Sequence, residues 1–148
     1  MTNEDRILLH PPVVGEIDKK YVMGALDSGW IAPAGPDLTA FESELAALAG
    51  TESALCVSSG SAALHLGLLQ LGVRPGDEVV VQTSTFAATA FAVAHVGAIP
   101  VFCDSEVRTA NIDADLLESF LADRAANDRL PAAVVLSLIH ISEPTRPY

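Results

Sequence analysis

Residues 54–82 read ALCVSSGSAALHLGLLQLGVRPGDEVVVQ. The stretch opens on Ala54 to Val57, a short apolar run of strand length, crosses a few small residues, and continues from Ala62 to Leu71 as a helix. Arg74-Pro75-Gly76-Asp77 then makes a turn into the β-rich run Glu78 to Gln82. Strand, helix and strand in that order form one βαβ unit. Downstream the alternation repeats: Thr85 to Val96 reads as a helix closed by Gly97, and Ile99 to Cys103 as a strand. Asp113 can cap a helix carrying Leu116, Leu117, Phe120 and Leu121, and Ala132 to Val135 reads as a further strand. Upstream, Ile17, Tyr21, Val22, Ala25 and Leu26 share one helical face that stops at Asp27-Ser28-Gly29. After the Gly/Pro-rich link Trp30 to Pro36, Asp37 can cap a second helix with Leu38, Phe41, Leu45 and Leu48 at helical spacing and Gly50 just past its end. Strands with apolar flanks, joined by helices, predict an α/β fold: a mostly parallel sheet with helices on both faces and right-handed crossovers. Ligands in such sheets sit at the carboxyl ends of the strands, which points to the loops Val57 to Ala62 and Thr83 to Thr89.

Composition narrows the classes. At 148 residues, 50% hydrophobic and 18% charged, the chain is expected to be a soluble globular domain, not a disordered segment. Apolar stretches such as Ala87 to Val101 are interrupted by Thr89, His95, Gly97 and Pro100, short of the roughly 20 residues of a membrane span. The polar, acidic start Met1 to Arg6 lacks the pattern of a secretory signal, so a cytoplasmic location is expected. A net charge of −11 repels phosphate backbones and anionic lipid surfaces, so neither nucleic acid nor membrane is an expected partner. Cys56 and Cys103 lie in apolar runs without ligand spacing, which predicts buried reduced thiols and no metal site. His65 and His95 fall in helices and read as packed or partly exposed side chains. Leu136 to Arg146, LSLIHISEPTR, resembles the translation of a transposase-end sequencing adapter, so 136–148 is expected to be a non-native tail and the gene to continue past Val135.

The first loop carries the sharpest chemistry. In Val57-Ser58-Ser59-Gly60-Ser61-Ala62-Ala63 a strand passes through small residues straight into a helix, and Gly60 lets a ligand approach the backbone. Bare amides at a helix start favour an anion, and Ser61 adds a hydroxyl donor. The spacing matches neither GxxxxGKS nor GxGxxG, and it is not GxSxG. A phosphate cradle and an unliganded cap both account for it. In the second loop, Thr85-Phe86-Ala87-Ala88-Thr89 sets one aromatic ring among small side chains at the same sheet edge. Phe86 reads either as a core residue like Phe91 and Phe102 or as a face for a flat ligand. Taken together, the two loops are explained most economically by a phosphorylated aromatic cofactor.

The ordered series Ala25-Leu26-Asp27-Ser28-Gly29-Trp30-Ile31, Gly35-Pro36, Phe41-Glu42, Ser59-Gly60-Ser61-Ala62-Ala63-Leu64-His65-Leu66, Pro75-Gly76-Asp77-Glu78-Val79, Thr85-Phe86, Gly97 to Asp104 and Asn111-Ile112-Asp113 resembles the DegT/DnrJ/EryC1/StrS aminotransferase family over about Ile7 to Val135. The resemblance implies the truncated large domain of a fold-type I transferase dependent on pyridoxal 5′-phosphate. It implies an N-terminal helix and substrate-entrance segment over 1–36 and a partial cofactor-binding α/β domain over 37–135. It assigns Gly60, Ser61 and Ala62 to the cofactor phosphate, Phe86 to the pyridine ring and Gly29, Trp30 and Ile31 to the substrate entrance. The implied partners are a nucleotide-sugar substrate and an amino-acid donor, glutamate or glutamine, with a homodimer for the full-length parent. A dehydratase of the same fold, using the pyridoxamine form, and a non-catalytic nucleotide-binding βαβ module stay open as alternatives.

Similar enzymes hold the cofactor through a lysine and keep its pyridinium nitrogen protonated with an acidic partner. The sequence has only Lys19 and Lys20, both in the first helix, and neither partner is identifiable. The 148-residue chain is therefore expected to be catalytically silent. Borohydride-fixable labelling of Lys19 or Lys20 by the cofactor, together with transaminase turnover, would overturn that expectation.

Overall fold

A computed structural model describes residues 12–137, and the tail beyond Ser137 lies outside the described residues. The chain divides into two compact units between Cys56 and Val57, beyond the boundary at Pro36 read from the sequence, so both N-terminal helices belong to the first unit.

In the first unit, α1 spans Glu16–Ser28 and α2 spans Pro36–Ala49. The Asp18 carboxylate accepts the Gly15 amide at 2.6 Å, satisfying one of the donors that a helix start leaves unpaired. Gly29 and Gly50 end the two helices, as their sequence positions indicated. The expected cap Asp37 is not one: Gly35 is the N-cap, Pro36 takes the first helical position, and Asp37 follows inside the first turn. Proline moves the cap two residues earlier because its missing N–H costs nothing at the first helical position and its fixed φ already suits the helix. The expected face of α1 is formed but left uncovered within its unit, with Ile17, Tyr21, Val22 and Leu26 all exposed. Ala54 to Val57 does not form the expected strand, since no ladder partner lies beside it among the described residues. Instead, Glu42 Oε1 accepts the Cys56 amide at 2.8 Å and ties this segment to α2.

The second unit contains α3 (Gly60–Gln70), β1 (Glu78–Gln82), α4 (Ala88–His95), β2 (Ile99–Cys103), α5 (Ala114–Ala126) and β3 (Ala133–Val135). The three strands are parallel in the order β2-β1-β3, with Glu78 opposite Ile99 and Val79 opposite Ala133. Val79, Val80 and Val81 are fully buried because β1 is central and covered on both faces, and each contributes about 1.5–3 kcal/mol of transfer free energy. Val79 and Val81 join Leu68, Val73, Ala92, Val93, Val96 and Ala98 under α3 and α4. Val80 and Val101 turn to the other face, toward Leu116 and Phe120 of α5, across a cavity of about 180 Å³. Helices thus cover both faces, as expected. Phe91 and Phe102 are not core residues, at 61% and 57% exposure.

Two turns set the direction of the helices. Asp77 Oδ2 accepts the Arg74 amide at 2.8 Å, the Asp77 amide returns to the Arg74 carbonyl at 3.1 Å, and the Gly76 amide donates to the Gly97 carbonyl at 2.9 Å. The connections leaving α3 and α4 are therefore joined at the amino end of the sheet, and both helices start at its carboxyl end.

Among the described residues the outer side of β3 has no ladder partner, and Val134 is 37% exposed there. An apolar open edge is a template for association. The chain is expected to self-associate at micromolar concentration, and Val134→Lys to reduce this without shifting the helical circular dichroism. A monodisperse, cooperatively melting wild-type chain in light scattering and calorimetry would contradict it.

Candidate functional site at the carboxyl edge of the sheet

Ser59 caps α3 in an extended conformation, and its Oγ accepts the Ala62 amide at 3.2 Å while its carbonyl takes the Ala63 amide at 3.1 Å. These bonds satisfy two of the amides at the helix start. Among the described residues the Gly60 and Ser61 amides have no acceptor, and both residues are exposed. A Cβ built on Gly60 would meet nothing within 4 Å, so the space beside these donors is open. Acidic side chains occupy the first turns of α1, α2 and α5, but none lies in those of α3 and α4. The dipole of α3 is left without an internal counter-charge.

Phe86 lies in the turn between β1 and α4, at the same end of the sheet as the start of α3. It is 75% exposed, unlike a core side chain. Its carbonyl accepts the Thr89 amide at 2.9 Å, and Thr85 Oγ1 lies 2.9 Å from Thr89 Oγ1, so the turn is closed by its own polar groups. The helix begins at Ala88, not at Thr85, because these bonds hold Thr85 to Ala87 outside the helix.

The turn after β2 is equally built. Ser105 bridges Ile112 in antiparallel fashion, the Glu106 amide donates to the Asn111 carbonyl at 2.9 Å, and the Asp113 amide donates to the Asp104 carbonyl at 2.9 Å. Asp113 then caps α5 by accepting the Leu116 amide at 3.0 Å, as expected. Inside the turn the Glu106 carboxylate accepts the Thr109 hydroxyl, the Thr109 amide at 2.7 Å and the Arg108 amide at 2.6 Å. The Thr109 hydroxyl first, then the Arg108 amide, hold this carboxyl below the usual glutamate range. Thr83 Oγ1 donates to Asp104 Oδ1 at 3.0 Å and the Ser84 amide donates to Ser105 Oγ at 3.2 Å, joining the turn to the Phe86 loop. The sequence marked the ends of this turn, at Asp104 and Asn111-Ile112-Asp113, but gave no role to Glu106 and Thr109 inside it.

In the first unit, Ile31 donates its amide to the Gly29 carbonyl at 2.9 Å, and Trp30 packs its ring on Gly35, where an added Cβ would meet Trp30 Cε3 at 3.5 Å. Trp30 lines a cavity of about 400 Å³ with Lys20, Tyr21, Gly24 and Leu38. His65 and His95 lie on the packed pair α3 and α4 with ring centroids 6.3 Å apart, half-buried and exposed respectively. Cys56 is half-buried, Cys103 is buried, and both are free thiols. Burial, reinforced by Asp113 and Asp104, pushes the Cys103 thiol up and leaves it unreactive. Among the described residues no group of three or more His, Cys, Asp or Glu side chains could hold a metal, and no helix is long and apolar enough to cross a membrane.

A parallel α/β unit thus carries unpaired amides at one helix start and an exposed ring at the same sheet edge, the edge at which open α/β sheets bind ligands. The chain belongs to the DegT/DnrJ/EryC1/StrS aminotransferase family, whose profile matches residues 12–137. It is 36% identical to the GDP-perosamine synthase of Caulobacter vibrioides over 124 residues, 84% of this chain and 33% of that protein. It superposes on a crystal structure of a DegT DnrJ EryC1 StrS aminotransferase from Brucella abortus with a TM-score of 0.71 at 34% identity, covering 80% of this chain and 32% of the other. It is also similar to the Escherichia coli GDP-4-keto-6-deoxy-D-mannose-3-dehydratase with bound hydrated PLP, with a TM-score of 0.67 at 26% identity over 75% and 30% of the two chains. The chain spans about a third of the length of the relatives it matches.

The lowered Glu106 carboxyl gives this turn a pH dependence with a definite sign. A depressed carboxyl contributes fully above the unfolded value, about 4.3 for glutamate, and the contribution is lost as pH falls through the lower folded value. Exchange of the Arg108 and Thr109 amides, corrected for intrinsic rate, is expected to accelerate below about pH 4. Glu106→Gln should show faster exchange with little pH response, and an unchanged profile in that variant would refute the assignment.

Proposed function

We propose that the chain is the N-terminal part of a pyridoxal-phosphate-dependent aminotransferase that moves an amino group from glutamate or glutamine to a keto sugar carried on a nucleotide. The observation that supports this reading most directly is the pair of unpaired amides at Gly60 and Ser61 beside open space, with the exposed Phe86 ring at the same sheet edge. In this reading Gly60, Ser61 and the Ala62 segment bind the phosphate, and the Ser61 hydroxyl adds a donor. Phe86 covers one face of the heterocycle and keeps water from it. When bound, the cofactor supplies an electron sink for the bond changes at the amino-bearing carbon. The chain's own residues here bind and orient, and none of them is placed to move the proton. Gly29, Trp30 and Ile31 are assigned to the substrate entrance, and the parent enzyme to a cytoplasmic homodimer. Among superposed structures, identity of 34% to the Brucella abortus aminotransferase against 26% to the dehydratase favours amino transfer over dehydration.

Binding can be read without turnover, from the circular dichroism induced in the pyridoxal phosphate band. Inorganic phosphate should compete and adenosine should not. Gly60→Asp puts a carboxylate at the start of α3, which suits the helix dipole but repels the phosphate; it should abolish the signal in a folded chain. Phe86→Ala should weaken binding about two- to twelvefold, the factor expected for one aromatic stacking contact. If Gly60→Asp binds as well as wild type, the assignment falls.

A further inference from the structure

Gln82 ends the central strand at 1% exposure and is the largest of the fully buried side chains. Burying a primary amide is unfavourable unless its donors and acceptor are matched. Here they reach three separate segments. Nε2 donates to the Ser84 carbonyl at 3.1 Å and to the Ala110 carbonyl at 2.6 Å, and Oε1 lies 3.4 Å from the amide of residue 137. Two carbonyls at one end and an N–H at the other fix which end is the NH₂. Ala110 sits at a φ of 58°, a left-handed conformation uncommon for a side chain with a Cβ. Its carbonyl direction is held by the Gln82 contact.

We infer that Gln82 is a positioning residue for the aromatic shelf. By clamping Ser84 and Ala110 together it holds the turn that carries Phe86, and the turn built on Glu106, at one setting over the carboxyl edge. The functional meaning of that shelf rests on the cofactor reading above. Leucine at this position offers no donor. An ionised glutamate sets an acceptor against two carbonyls.

The test compares wild type, Gln82→Leu and Gln82→Glu in the 148-residue chain. It uses amide hydrogen exchange and titrations with pyridoxine 5′-phosphate and inorganic phosphate. At neutral pH both variants should exchange about tenfold faster over 83–87 and 105–112, the factor of one lost net hydrogen bond, with Val79 to Val81 as protected as in wild type. Preference for pyridoxine 5′-phosphate over inorganic phosphate should fall about two- to twelvefold, with phosphate affinity unchanged. A carboxyl buried against two carbonyls takes up its proton above the usual range, clear of the acid range in which Glu106 titrates, and then regains one donor. Gln82→Glu should therefore recover part of the slow exchange as pH is lowered, while Gln82→Leu should not. If Gln82→Leu fails to fold, that recovery decides alone. Unchanged exchange in a folded variant, or no recovery in Gln82→Glu, overturns the role of Gln82. A wild-type chain without preference for pyridoxine 5′-phosphate overturns the cofactor reading instead, and the exchange comparison still decides Gln82.

Discussion

The hydrogen bond from the Gly76 amide to the Gly97 carbonyl, 2.9 Å long, joins the two connections that leave α3 and α4. Because β1 and β2 are parallel and each follows one of these turns, joining the turns sets both helices in the same direction. Their amino ends must then meet at the carboxyl edge. Gly97 is held at a φ of +78°, and a Cβ there would come within 3.0 Å of Pro75 Cβ, so the position excludes a side chain on two counts. The neighbouring Ile99 amide continues the link by donating to the Asp77 carbonyl at 2.8 Å. An unpaired helix start and an exposed ring share one end of the molecule as a consequence of packing at the other end.

The parts legible in the sequence were those fixed by local chemistry. Glu78 to Gln82 and Ile99 to Cys103 are strands over the residues expected, because β-branched runs bounded by turn residues carry their own boundaries. Asp113 was legible as a cap for the same reason. The misreadings each needed information from elsewhere in the chain. Ala54 to Val57 has strand composition, but a strand exists only with a neighbour to bond. Phe91 and Phe102 have core composition, but only packing decides what covers them. The small-residue turn into α3 was readable as a helix start, and its edge of the sheet from the alternation of elements. Gln82 was not legible, since a glutamine at a strand end gives no sign that two distant segments, at Ala110 and Ser137, converge on it beside its own loop.

Exposed apolar side chains concentrate where each unit lacks a covering layer. Ile17, Tyr21, Val22 and Leu26 mark one face of α1. Leu117, Leu121 and Ala125 of α5 line an apolar groove with Ile112 before the helix and Leu130 after it. The covered and uncovered surfaces also differ in polar provision. At the amino end of β1, Glu78 approaches Arg124 at 3.3 Å and Arg129 at 3.7 Å. Glu78 Oε2 nonetheless has no aligned hydrogen bond, so the contact is one of charge without good geometry. Such pairing anchors the end of α5 to the sheet more by proximity than by strong bonding.

A chain of net charge −11 can still receive a doubly negative group, because the two effects act over different distances. Exposed charges are screened beyond about 8–10 Å at physiological ionic strength, so most of the nineteen acidic side chains act weakly at any one point. Helix amides act within the first turn and are worth about 0.3–1 kcal/mol each when exposed, more where water is excluded. What decides is therefore the charge in that turn. The first turns of α3 and α4 contain no carboxylate, whereas α1, α2 and α5 each carry acids of their own there, and of the two only α3 begins with the open glycine turn Ser59-Gly60-Ser61. Helix starts that are neutralised internally have little left to offer an external anion. The start of α3 keeps its donors and its field uncompensated, and the net charge of the chain then opposes the approach of polyanions without closing this position.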